Sequence, residues 1–109
     1  MNINLAKRAV ACKHWRWMPG MLAGCGGRKM RSKRSGRSPY RGALPDLADA
    51  ATLGCLLALV REAWAPATWI TTTACLTSVG VHGWRVQGLD LPMQSTEAEA
   101  LVAALEDAP

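Results

Sequence analysis

The first 41 positions of this 109-residue chain contain no acidic residue. That stretch, Met1 to Arg41, carries eleven Lys or Arg, whereas Gly42 to Pro109 carries two Arg against eight acids. The formal net charge of +5 therefore combines a half at +11 with a half at −6. Such polarity points either to a basic arm seeking phosphate, or to an arm whose partner is the acidic half of its own or another copy. Groups able to do chemistry are equally scarce. The two histidines, His14 and His82, stand alone, and neither GxSxG nor GxxxxGK[ST] can be placed. The carboxylates fall in helix caps or on a helical surface. The reading is a protein that is not an enzyme, with no catalytic residue and no cofactor.

Long apolar runs are also missing. The longest, Leu53 to Val60 with Ala50 and Ala51 ahead of it, is ended by Arg61, well short of the roughly 20 residues a membrane span needs. No membrane association is expected. The N-terminus lacks the basic, apolar and small-residue order of a signal peptide, so Cys12, Cys25, Cys55 and Cys75 are expected as reduced thiols in a cytoplasmic protein. Its acid-free, Arg- and Ser-bearing composition resembles an organellar transit peptide, against which the Trp-rich motif within it argues. Cys12, His14 and Cys25 have neither CxxC nor HxxxH spacing and lack a fourth ligand, so no metal site is expected.

The length fits one small domain, 1–109. Its clearest element is Pro45 to Trp64, PDLADAATLGCLLALVREAW, which is rich in strong helix formers and free of Pro after Asp49. Asp49 is placed to cap the helix and Pro66 to stop it. Leu53, Leu57, Val60 and Trp64 share one face, with Cys55, Leu56 and Leu59 making adjoining faces apolar. A helix so apolar must be covered on more than one side, and the flanking segments read as elements packed on it. Before it, Leu5 to Lys13 can form about two turns of helix, with Lys7, Arg8 and Lys13 solvated. In HWRWMPGM, alternation sends Trp15 and Trp17 to one side and Arg16 to the other. The rings are either core or, if exposed, a platform for stacking bases.

Residues 24–42 are rich in Gly, Ser and base and offer almost nothing to bury, which predicts a flexible loop or insertion. Its cations, Arg28, Lys29, Arg31, Lys33, Arg34, Arg37 and Arg41, are the candidate nucleic-acid-binding residues. Deleting Arg28 to Arg41 is expected to leave the fold intact while abolishing that binding. After the central helix, Thr68 to Thr73 and Val81 to Val86 read as strands joined at Thr77 to Gly80 as a hairpin. Thr96 with Glu99 forms a capping box for a last helix whose Ala98, Leu101, Val102 and Leu105 share a face. Glu97, Glu99, Glu106 and Asp107 are its expected solvated side. The fold class is α+β, a buried central helix and a C-terminal helix packed on a short antiparallel sheet.

Three blocks, HWRWMPGM at His14 to Met21, PDLADAATLGCLLALVREAW and TEAEALVAAL at Thr96 to Leu105, make the chain resemble a group of small proteins encoded by tailed bacteriophages and prophages. Somewhat over a third of the chain carries the resemblance. In that group Pro usually stands where this chain has Ala50, which suits the first helical position. A strand-forming segment usually stands where this chain has its Arg, Ser and Gly run, leaving an insertion, a diverged loop or a shifted reading frame as its origin. No activity of the group transfers onto any residue. The resemblance implies an α+β protein in the cytoplasm of a bacterial host. Together these readings predict a small accessory protein acting through an unidentified protein partner, with non-specific nucleic-acid binding through residues 28–41 as the alternative.

Overall fold

The computed structural model describes residues 3–24, 29–66 and 69–109. In chain order its elements are helix α1 (Ile3–Ala11), two-residue strands β1 (Leu22–Ala23) and β2 (Met30–Arg31), helix α2 (Ala50–Ala63), strands β3 (Thr71–Thr77) and β4 (Gly80–Gln87), and helix α3 (Glu97–Glu106). The architecture is α+β, with two separate antiparallel pairs, β1 with β2 and β3 with β4. None of the described helices is long and apolar enough to cross a membrane.

Helix α2 begins where its sequence says it should. Asp49 is extended, at φ −78° and ψ 127°, and its carboxylate accepts from the Thr52 N–H. Trp64 closes the other end, its N–H reaching the Val60 carbonyl at 3.0 Å. The buried face is turned by about one residue, roughly 100° of helix, from the expected one. Thr52, Leu56, Leu59 and Val60 are buried, while Leu53, Leu57 and Trp64 are partly covered. The reason lies in Thr52, a polar residue with no exposed surface. Its hydroxyl donates to Asp49 Oδ2 at 2.9 Å and accepts from the Leu22 N–H at 2.8 Å, so no polar atom is stranded.

The centre of the fold is α3 rather than α2. It lies in contact with α1, α2, β3 and β4, and Ala98, Ala100, Leu101, Val102, Ala104 and Leu105 are all buried. Three of these six are alanines, whose short side chains let neighbours approach from several sides. Thr96 caps the helix by accepting from the Glu99 N–H at 3.1 Å. The Trp64 indole donates to the Ala104 carbonyl at 2.8 Å, tying the end of α2 to the middle of α3. Leu5, Ala6 and Ala9 of α1 enter the same core.

The expected hairpin is present, but its first strand starts and ends later. Of the expected Thr68–Thr73 segment, Thr68 lies outside the described residues and Thr71–Thr73 open β3. Pairing runs from Thr71 opposite Gln87 to Thr77 opposite Gly80, with an irregularity between Cys75 and Leu76. Gly80, at φ +120°, takes the positive angle that closes the Ser78–Val79 turn. Val86 and the preceding Ile70 are buried in the core.

Candidate nucleic-acid interface

The segment expected to run free between positions 24 and 42 is, over its described residues 29–42, fastened to the body. Strand β2 pairs with β1, Leu22 opposite Arg31 and Ala23 opposite Met30. Ser32 continues the pairing, donating its N–H to the Met21 carbonyl at 2.7 Å and accepting from the Gly20 N–H at 2.9 Å. It is 4% exposed. Its hydroxyl faces the carbonyls of Arg34 and Arg37, at 3.2 and 3.3 Å, and so gathers the turn that follows. Gly36, at φ +80°, donates to the Trp17 carbonyl at 2.7 Å. This anchoring answers the prediction of a disposable loop. Deleting Arg28 to Arg41 would remove a strand, a buried serine and these ties, so the deletion would disturb the fold as well as the charge.

The fastened turn fans its cations around one open depression of about 410 Å³, lined by Arg31, Lys33, Arg34 and Arg37 with Met30, Ser32, Ser38 and Pro39. No acidic side chain lines it. Lys33, Arg34 and Arg37 are exposed and belong to none of the three ion pairs among the described residues, which also leave out Lys29 and Arg41. Arg28 lies outside the described residues.

Arg31 is committed elsewhere. Its guanidinium takes both oxygens of Asp49, at 3.0 and 3.3 Å, and the Gly20 carbonyl at 2.7 Å. That contact, with the Thr52 N–H and hydroxyl adding to it, holds the Asp49 carboxyl at about 2, below its ordinary 3.8. A carboxyl lowered in the folded state stabilises the fold above its unfolded value, and the contribution is lost as pH falls through the folded one. Stability measured by urea unfolding should therefore decline between pH 3.8 and about 2 partly through this group. Asp49→Asn is expected to flatten that part of the acid limb. An identical limb in the variant would remove Asp49 as its source.

All three ion pairs join the basic half of the chain to the acidic half: Arg8 with Glu106, Arg16 with Glu62, and Arg31 with Asp49. Arg8 and Glu106, expected on solvated faces, thus bind α1 to α3. Glu97 also leaves the expected solvated side, accepting from the Thr72 hydroxyl at 2.8 Å. The charge polarity is partly consumed within one copy, and what remains unpaired is concentrated at residues 29–41.

Trp15 and Trp17 meet edge to face with centroids 5.6 Å apart. Trp17 is 7% exposed and part of the core, so the pair does not form an open platform for bases. Arg16, on the other side, grips Glu62 with both nitrogens at 2.8 Å. His14 Nε2 lies 2.7 Å from the Pro109 carbonyl oxygen, a structural placement. The thiols of Cys12, Cys55 and Cys75 are free, and Cys25 lies outside the described residues. Burial pushes the Cys12 thiol up, away from a reactive thiolate. Among the described residues no three His, Cys, Asp or Glu side chains gather as a metal would need.

Two residues that shape this interface were not singled out from the sequence. Ser32 is one of three serines spaced evenly through the basic run, and nothing local marks it as the buried one. Thr52 could have been found, because it stands three residues after the capping Asp49, where a hydroxyl can share the carboxylate. Searches for related proteins found no matching family model, no matching curated protein and no matching solved structure.

Proposed function

We propose that this chain is a small non-catalytic accessory protein of a bacteriophage or prophage, acting in the bacterial cytoplasm, and that it binds nucleic acid through the phosphate backbone at residues 29–41. One observation carries the reading: Lys33, Arg34 and Arg37 surround a single depression without an acid, while Arg8, Arg16 and Arg31 are neutralised by acids of the same chain. Cations held on a fastened turn and left unpaired attract phosphates at little conformational cost. Such binding is mainly electrostatic and indifferent to base sequence. The resemblance of the three sequence blocks to phage proteins supports the setting.

Gel shifts of unrelated DNA duplexes over a series of salt concentrations test the proposal. If Lys29, Lys33, Arg34, Arg37 and Arg41 all met phosphates, the slope of log affinity against log salt would be about −4.5, and the three around the depression alone give about −2.7. The sequence by itself allowed seven contacts and a slope of about −6. Arg31, held by Asp49, does not count towards that number, and Arg28 lies outside the described residues. A slope near zero, or strong discrimination between unrelated duplexes, would reject the proposal.

A further inference from the structure

The two edges of the β3–β4 hairpin differ. On the β4 side, Trp84 exchanges both backbone hydrogen bonds with Gln94, at 2.7 and 2.8 Å. A Cβ at Gly83 would lie 2.8 Å from the Gln94 carbonyl oxygen, so residues 93–94 close that edge. On the β3 side, no other strand pairs with Thr71–Thr77 among the described residues. Proteins usually blunt such an edge with Lys, Pro or another charge. TTTACLT has none of these.

Charge argues for what covers it. Between Glu62 and Arg85 the sequence contains no Lys, Arg, Asp or Glu. The β3 edge itself carries no charge, and the nearest cation, Arg85, sits on β4 opposite Thr73, one strand in from that edge, so two copies of a chain with net charge +5 can meet along β3 without setting like charges in contact. The hairpin is also where uncovered apolar surface collects. Leu76 and Val81, opposite each other in the ladder, are 73% and 57% exposed, and Val79 in the turn beside them is 94% exposed. Identical strands paired antiparallel about a two-fold axis are self-complementary.

We propose that the β3 edge pairs with β3 of a second copy of this chain, antiparallel about a two-fold axis, making one continuous sheet in the order β4, β3, β3, β4. Main-chain hydrogen bonds hold the two copies together, and the absence of charge lets them meet. The pairing is independent of phosphate binding at residues 29–41.

Sedimentation of the full-length chain across micromolar to millimolar concentrations should show a reversible monomer–dimer equilibrium. Amide exchange of Thr71–Thr77 should slow as concentration rises. Thr73 is exposed near the middle of the strand, opposite Arg85 of β4, so Thr73→Lys sets like charges near each other across the axis and should weaken dimerisation about tenfold, with only a small fall in melting temperature from the Lys–Arg pair within each hairpin. Thr73→Glu, which faces Arg85 of its own hairpin, should weaken dimerisation less and leave the hairpin as stable as before, and an equimolar mixture of the two variants should restore association. A monomer at every concentration overturns the proposal, as does a dimer indifferent to both Thr73 variants. So does a dimer lost only on replacing Leu76 and Val81 by Ser, which would place the contact at the hairpin tip. If neither Thr73 variant folds, exchange in the unaltered chain decides, and rates in Thr71–Thr77 that do not depend on concentration overturn the pairing.

Discussion

Leu59→Asp is expected to abolish the cooperative unfolding transition of this protein. Leu59 is 1% exposed, on the face of α2 that enters the core. Losing a buried leucine costs about 2–5 kcal/mol, and an unpaired carboxylate in its place adds several kcal/mol more. The total rivals the roughly 5–15 kcal/mol that holds a domain folded. Leu57, on the face that periodicity alone marks as apolar, supplies the comparison. It is only partly buried, so an aspartate there can turn towards water, and Leu57→Asp should lower the melting temperature without erasing the transition. Thermal melts followed by far-UV circular dichroism compare the two. Should Leu57→Asp unfold the chain while Leu59→Asp melts like the parent, α2 is rotated from the orientation described.

Replacing Lys33, Arg34 and Arg37 together by Ala should lower affinity for DNA by about two to three orders of magnitude near 0.1 M salt, and flatten the salt slope by about 2.7. All three side chains are exposed and outside the ion pairs, so the melting temperature should hardly move. Arg31→Ala supplies the contrast. It breaks the contact with Asp49 and the Gly20 carbonyl, so stability should fall, modestly because the pair is half exposed, while the salt slope stays as it was. If the triple variant binds as tightly as the parent, residues 33–37 are not the phosphate site. If Arg31→Ala alone removes the slope, Arg31 exchanges its carboxylate partner for phosphate, and the assignment of contacts must be redrawn.

Local signals located most elements to within a few residues. Asp49 and Thr96 cap the helices they were expected to cap, because capping depends only on neighbours one turn away. The hairpin followed from β-branched runs around a short turn. Strands β1 and β2 were not foreseen. Each is two residues long, and neither LA nor MR has a pattern, so they exist only because the ladder finds Ser32, Met21 and Gly20 beside it. In the basic run, composition counted the charges correctly but could not tell which were free. Arg31 and Arg34 look alike in the sequence; one meets Asp49, 18 positions away, and the other faces open solvent.

The sequence by itself determined the class of fold, the three helices with two of their caps, the hairpin, and the division of charge between the halves. Each of these depends on residues close in the chain or on composition. Only the tertiary structure decided that α3 rather than α2 lies at the centre, that Thr52 and Ser32 are buried, and that three arginines are spent on acids of the same chain. These outcomes depend on which distant partner a side chain meets, and burial of a polar group is tolerable only once that partner is in place. The surface left for phosphate is what remains after those meetings: three cations around one depression, held by a turn that a buried serine keeps closed.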